Sequence, residues 1–435
     1  MSEGLRCYPS YKETNIDWLK GIPINWDIKK IKYVFDNLDY KRIPLSAEIR
    51  GSMRNKIYDY YGASGVIDKV EDYLFDETLI LVGEDGANLF SRSTPLAFLA
   101  EGKYWVNNHA HILKPKKGNI HYFVNLLECI DYSIYISGSA QPKLTQDALG
   151  NIIIPVPSLE EQDNIVNYLI PKLDRIDSLI AVKEKLIELL EEKRQAIITE
   201  AVTKGLNPNV KMKDSGVEWI GEIPEHWNKN KIKYTSYVKG RIGWQGLRSD
   251  EFIDEGPHLV TGTDFINGLI NWKTCYHISE ERYNEAPAIQ LKENDLLITK
   301  DGTIGKVAIV KGKPERAILN SGIFVTRPLN ASYLTEYMYW LLTSEMFKKY
   351  IKYMETGSTI KHLYQETFVN FIFPLPDISE QKRIVEFLNV KVREVDSILQ
   401  EISFQIEKLK EYRQSLIYEA VTGKIDVRDY KKVLS

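Results

Sequence analysis

Cysteine is scarce in this chain: Cys7, Cys129 and Cys275 stand far apart in 435 residues. They offer neither metal-site spacing nor a paired framework, which fits a reducing, cytoplasmic setting. Histidine is scarce too, seven residues without a His-Glu-x-x-His, so a metallohydrolase is not indicated. His109 and His111 alternate as strand neighbours would, but no further ligand is evident and no metal is expected. No apolar run approaches the roughly 18 residues of a membrane span, and the N-terminus lacks a charged-then-apolar signal. An excess of positive charge is missing as well, the net being −3. Residues 22–157 carry 15 basic against 16 acidic side chains, and residues 223–376 carry 19 against 17. Any nucleic-acid contact must therefore rest on local basic faces. Absent, finally, are Asp-Pro-Pro-Tyr, a glycine-rich cofactor loop, and any helicase or nuclease signature. The expectation is a binding protein with no cofactor and no catalytic residue of its own.

What the chain has in quantity is repetition. Pro157–Thr203 returns as Pro376–Thr422, shifted by 219 residues without a gap and identical at 20 of 47 positions. A repeat of this length means two structural units. Each copy reads as one long amphipathic helix with a heptad seam. The first seam runs Leu173, Ile176, Ile180, Lys183, Ile187, Leu190, Arg194, Ile197, Ala201; the second runs Val392, Val395, Leu399, Ile402, Ile406, Leu409, Arg413, Leu416, Ala420. About 30 residues of such a helix span roughly 45 Å. An uncovered stripe that long is unfavourable, and the nearest cover is the other copy, packed antiparallel. Arg194 and Arg413 take matching seam positions, where a charge can fix register. Pro171 stands where the second copy has Val390, which predicts a kink or a break.

A second repeat precedes each globular part. Ile-Pro-x-x-Trp followed by Lys-Ile-Lys-Tyr occurs at Ile22–Val34 and, 201 residues on, at Ile223–Val238. Within each part the pattern is mixed. Thr78–Phe90 is an apolar run ending in a glycine turn, Tyr104–Leu113 reads as one strand, and Asn119–Ile136 as a helix. Asp295–Val310 reads as strand, turn, strand; Ile318–Pro328 as one strand; Leu334–Met354 as one helix. The predicted organisation is α/β. Two globular domains, 1–157 and 223–376, are separated by an antiparallel intramolecular coiled coil of two long helices, 158–205 and 377–424, in a pseudo-twofold repeat. A linker at 206–222 and a tail at 425–435 complete the division. The tail's opening residues resemble those of the linker, so the two chain ends are expected to lie close together.

Asp301–Lys306 (DGTIGK) invites a phosphate-loop reading. Its glycines enclose two residues, Thr303 and Ile304, where four are needed, and Val307 follows the lysine. A glycine hairpin is the expected reading, and a basic-tipped hairpin can still touch DNA. The Gly-Ser loops Ser137–Leu144 and Thr356–Leu363 are candidate DNA contacts, because small residues admit a phosphate closely while Gln141, Lys143, Lys361 and His362 supply donors. A structural turn capped by serine is the competing reading. Arg42, Arg92 and Asn108 in the first part, and Arg241, Lys300, Thr303, Lys306 and Asn320 in the second, are further candidates. An ordinary solvated role is open for each.

Taken together, the doubled Ile-Pro-x-x-Trp, the turn at 301–306, Gly-Ser-Thr-Ile-Lys-His-Leu at 357–363, the doubled Pro-x-x-x-x-Glu-Gln-x-x-Ile-Val and the doubled Glu-Ala-Val-Thr resemble the specificity subunits of type I restriction-modification enzymes. The first part departs from that pattern at 84–88 and 138–144. The resemblance implies two target-recognition domains, each reading one half of a split double-stranded DNA sequence, with the paired helices setting the spacer. It also implies two modification subunits that bind S-adenosylmethionine and two restriction subunits that use ATP and Mg2+, all outside this chain. A reading from another class is a coiled-coil assembly protein whose globular parts bind proteins rather than DNA.

Overall fold

The computed structural model describes residues 6–16, 18–138, 141–241, 247–354 and 362–430. The chain forms two compact units that interleave in sequence: residues 1–183 with 404–435, and residues 184–403. The six consecutive segments expected from the sequence are thus regrouped, because each long helix contributes one end to each unit.

The long helices run Leu159–Lys204 and Ile378–Val421. Pro171 lies inside the first without ending it, so of the expected kink or break the break is not formed. Proline removes the bond to the carbonyl four residues back, here that of Asn167. Both residues are on the exposed side of the helix, where water can satisfy that carbonyl. The seam residues are buried or half-buried throughout; Ile176, Ile180, Val395, Ile402 and Ile406 are buried, and Ile187, Leu190, Leu399 and Leu409 half-buried. In the first unit Arg413 reaches across to Asp177, Nε–Oδ1 2.8 Å, and Lys183 to Gln405 at 2.6 Å. In the second unit Arg194 reaches Asp396 at 2.7 Å. Asp177 and Asp396 are themselves 219 residues apart, so the pairing is reciprocal and the helices pack antiparallel. These ion pairs are partly exposed, so each contributes at most about 1 kcal/mol. Their geometry serves register more than stability.

The two repeated motifs turn out to be one joint, built once per unit. Trp26 donates its indole N–H to Glu161 at 3.1 Å, and Trp227 does the same to Glu380 at 2.9 Å. Gln162 donates to the Pro157 carbonyl and accepts from the Asn119 amide; Gln381 donates to Pro376 and accepts from Leu334. The Glu-Gln pair that opens each long helix therefore clamps the tryptophan of one motif and the first turn of a domain helix. Tyr122 and Tyr337 complete the joint, reaching the carbonyls of Val421 and Val202 at 3.2 and 3.3 Å. Each unit thus holds the end of the other copy's helix. Gly423 and Gly205 close those helices at φ +71° and +75°. A side chain at Gly423 would run into Pro23 at 2.4 Å, and one at Gly205 would press on Trp227 at 3.2 Å, so both conformation and space call for glycine.

The leader and the linker correspond as well. Tyr11–Ile16 pairs with Leu19–Pro23, and Met212–Asp214 with Glu222–Pro224. The tail returns to the leader: Asp426 donates its amide to the Arg6 carbonyl at 2.7 Å, and Tyr11 donates its hydroxyl to Gly423 at 3.0 Å. The two ends of the described chain are neighbours, as the sequence predicts.

In the first unit one sheet runs Phe35–Asn37, Ala110–Pro115, Leu79–Gly83, Ala97–Ala100, and another Gly65–Val70, Tyr58–Gly62, Lys103–Val106, Phe75–Asp76. In the second unit a six-stranded sheet runs Ser236–Gly240, Ile323–Pro328, Leu296–Thr299, Val307–Ile309, Leu269–Ile270, Phe265–Ile266. Pairing is mostly antiparallel, with parallel contacts such as Tyr104 beside Asp59. Four expected elements are divided: Asn119–Ile136 is helical over Ile120–Glu128, with a separate short 3-10 turn at Ser133–Tyr135. Tyr104–Leu113 is two strands in different sheets, separated by a turn in which Asn107 Oδ1 accepts the His109 amide at 2.7 Å. Ile318–Pro328 likewise supplies strands Ala317–Leu319 and Ile323–Pro328 to different sheets. Leu334–Met354 is two helices meeting at the buried Ser344.

Candidate nucleic-acid interface

Strand Leu296–Thr299 of the second unit is wholly buried, and the chain emerges from it at Lys300. The turn to Val307–Ile309 is a hairpin as expected, its strands antiparallel. Gly302 and Gly305 adopt φ +68° and +82°. Thr299 Oγ1 accepts the Lys306 amide at 2.9 Å and donates to the Thr303 carbonyl. Asp301, Thr303 and Lys306 are thereby presented at the exposed tip.

Other segments converge there. Lys300 donates its amide N–H to the Gly322 carbonyl, and its own carbonyl accepts the Leu363 amide, both at 2.8 Å. Asn320 is held by Val260 at 2.9 Å. His362 faces Asp301, ring nitrogen to carboxylate, and stacks edge-on against the exposed Tyr364. Lys306 points to the Gly262 carbonyl and lies over Phe265. Lys300, Thr303, Lys306, Asn320 and His362 therefore share one end of the sheet. Lys361 lies outside the described residues, as do residues 355–360.

The first unit repeats the plan with different side chains. Strand Leu79–Gly83 ends at Glu84, whose carbonyl accepts the Leu144 amide at 2.7 Å, matching Lys300 and Leu363. The Gly86 amide bonds Pro142, and Lys143 pairs by backbone with Ser137. Gln141 and Asn108 are exposed. Lys143 is half exposed and reaches Glu84 at 3.1 Å. His109 is exposed and faces Asp85, Nδ1–Oδ2 2.7 Å.

Three arginines proposed from the sequence make contacts within the fold, two of them from half-buried positions. Arg42 bridges Glu84 and Asp39 and donates to the Ala110 carbonyl at 2.9 Å. Arg92 donates to the carbonyls of Ile130 and Glu128 at the end of helix Ile120–Glu128, where a cation favours the helix dipole. Arg241 is 3% exposed and donates to Leu319 at 3.1 Å. Burial and the nearby Arg282 bring it down to about 10. In each case a guanidinium at the right distance from a motif satisfied carbonyls inside the fold. Sequence spacing could not distinguish that from a DNA contact.

Asp39, Glu84 and His111 place ligand-capable atoms within 4.8 Å of one another. Arg42 contacts both carboxylates, so a guanidinium already supplies the positive charge a metal would bring. Asp39 would be raised by burial, but the His111 hydrogen bond and charge, the Ile112 amide and Arg42 outweigh this and hold it below the usual range. Glu84 is held low in the same way, chiefly by Arg42. The expected common face of His109 and His111 is not found: His109 lies in the turn before the strand, and His111 is buried. Sequence reasoning also passed over Tyr364, exposed against His362, and Thr263, exposed and adjacent in sequence to the Gly262 whose carbonyl Lys306 approaches. Thr263 comes from about 40 residues upstream of Lys306, and no local signal links them.

The family model described as the type I restriction modification DNA specificity domain matches residues 23–192 and 247–408. The chain belongs to this specificity-subunit family. The two matched spans take in every candidate contact except Arg241, together with parts of both long helices. A type I restriction enzyme specificity subunit from Methanocaldococcus jannaschii, MjaVIII, is 25% identical over 96% of this chain and 98% of its own length. The EcoBI specificity subunit of Escherichia coli is 24% identical over 65% of this chain and 60% of its own. A solved structure described as concerning complex assembly and conformational transition of the type I system superposes with TM-score 0.68. It is 14% identical, over 93% of this chain and 99% of that one, which establishes the shared fold. The specificity subunit's long helices pack together as the sequence predicts. No helix among its described residues is long and apolar enough to cross a membrane.

Proposed function

We propose that this chain reads a split double-stranded DNA sequence, one half-site per unit, and itself carries no catalytic residue. One observation carries the reading. In both units a polar loop is tied by a leucine amide, Leu144 or Leu363, to the residue emerging from a buried strand, Glu84 or Lys300. The same scaffold thus presents different side chains twice, as expected of two readers with different half-sites. The second tip offers Lys300, Thr303, Lys306, Asn320 and His362; the first offers Asn108, Gln141 and Lys143. Base edges and phosphates both accept hydrogen bonds from such groups. The paired helices set the spacer between half-sites. Adenine methylation belongs to two modification subunits carrying S-adenosylmethionine, and translocation and cleavage to two restriction subunits using ATP and Mg2+, in the cytoplasm.

The test is a purified complex of this chain with its modification subunit. Mapping methylated adenines in a genome expressing both should return one bipartite sequence, bound with an affinity that falls steeply in salt. Lys306→Ala and Lys361→Ala should each weaken or relax one half-site and leave the spacer unchanged. Indifference to DNA would favour the protein-assembly reading, and binding of S-adenosylmethionine by this chain alone would contradict its non-catalytic role.

A further inference from the structure

The two entry segments hold an exposed feature that the joint does not explain. Residues 22–33 and 223–234 are identical at seven of twelve positions. Five of the seven are accounted for by the fold: Ile22, Pro23, Trp26, Ile31 and their counterparts are buried, and Lys30 and Lys231 are half-buried. The five positions that differ, at 24, 25, 27, 28 and 29, are all exposed in the first unit. The surface of the segment therefore varies between the copies, with two exceptions. Lys32 and Lys233 are exposed and identical, and so are Tyr33 and Tyr234, which are 66% and 67% exposed. In each unit the lysine ammonium lies over the ring of the tyrosine that follows it, 5.7 and 4.9 Å from the centroid. Lys32 also donates to Asn151 Oδ1 at 2.8 Å.

Both pairs sit at the end of the domain away from its reading tip. The next residues, Val34 and Thr235, accept the amides of Lys116 and Leu329 at 3.0 and 2.8 Å. Those amides follow strands Ala110–Pro115 and Ile323–Pro328. The opposite ends of the same strands pair Ala110 with Gly83 and Ile323 with Thr299, the residues just before Glu84 and Lys300. Each strand has six residues, so roughly 17 Å separates the two ends. The tips differ between units, as readers of different half-sites must, while the Lys-Tyr pairs are the same. A surface made twice, remote from the tips, fits a partner bound twice. Tyrosine is a preferred anchor at protein interfaces, and each tyrosine here follows two retained lysines, which calls for an acidic face opposite.

We propose that Lys32–Tyr33 and Lys233–Tyr234 are two equivalent docking points, each for an acidic surface of one modification subunit. The inference rests on the function proposed above, in which each modification subunit must reach an adenine in one half-site and so must sit against one unit. The tip then supplies what differs between the half-sites, and the Lys-Tyr pair supplies what both units share.

Titration and sedimentation of the full chain with its modification subunit read both stoichiometry and affinity. The unaltered chain should bind two modification subunits. Lys32→Glu with Tyr33→Ala should weaken one of them by about tenfold or more, the size of losing an interface anchor, and leave the other unchanged. Lys233→Glu with Tyr234→Ala should do the same, and the four changes together should weaken both. Lys32→Glu should weaken assembly more than Lys32→Ala, because it sets like charges together. The thermal midpoint of the free chain should not move, since the replaced side chains lie in water. Unaltered affinity for both subunits in the fourfold variant would overturn the proposal and leave the two-reader function standing. So would intact assembly with weaker DNA binding and a shallower salt dependence, which would make the pairs phosphate contacts, and so would a loss confined to the restriction subunits. An unaltered chain that binds no modification subunit would overturn the proposed assembly as well.

Discussion

At the residue scale, the repeated Glu-Gln pair explains most about why the motifs exist. Gln162 and Gln381 are 1% and 0% exposed, and each satisfies two backbone groups. Buried amides and carbonyls left without partners are strongly unfavourable. Gln381→Leu keeps most of the volume but orphans the Leu334 amide and the Pro376 carbonyl. It should lower stability by about 2–4 kcal/mol, read from the denaturation midpoint. The arginines teach the complementary lesson. Arg42, Arg92 and Arg241 have the type and spacing of DNA contacts, yet lie where inward carbonyls and carboxylates needed a donor. A sequence gives the side chain's reach but not its direction.

At the element scale, the long helices were legible because a heptad seam is a local, periodic signal of length greater than any noise. Pro171 leaves its helix continuous for a reason just as physical: the cost of proline depends on whether the freed carbonyl faces water, and Asn167 is exposed. Pro171→Ala should restore that bond and stabilise the chain by about 1–3 kcal/mol, seen as a raised midpoint of thermal unfolding. Inserting one heptad into both helices adds roughly 10 Å, about three base pairs of DNA. The mapped sequence should keep its half-sites and lengthen its spacer, and an unchanged spacer would remove the measuring role from the helices. Strands fared worse. Tyr104–Leu113 and Ile318–Pro328 look continuous because apolar residues flank the break, while the turns are decided by hydrogen bonds such as that from the His109 amide to Asn107.

At the scale of the whole molecule, the two units share a joint and a loop scaffold but differ in electrostatics. The first holds Asp39 and Glu84 below the ordinary carboxylate range in a largely buried network. It also holds Asp426 low through Arg428. A carboxyl depressed in the folded state adds stability that is fully present above its unfolded value and is lost as pH falls through its folded one. In the second unit the lowered carboxyls Glu251 and Asp377 lie at the surface, stabilised mainly by local hydrogen bonds. Acidification should therefore loosen the first unit before the second, with amide exchange rising first around residues 39, 84 and 112. Simultaneous loss in both units would count against this assignment.

By itself the sequence determined that there are two units, that two helices pair antiparallel, and that the leader and the tail meet. These follow from repetition and periodicity, which are properties of order along a chain. The tertiary structure alone decided which polar groups face outward. It tied three arginines to carbonyls within the fold, buried His111 against Leu144, and brought Lys306 to the Gly262 carbonyl. The reason is that a buried donor or acceptor must find its partner wherever the fold brings one, and those partners lie tens of residues away in sequence.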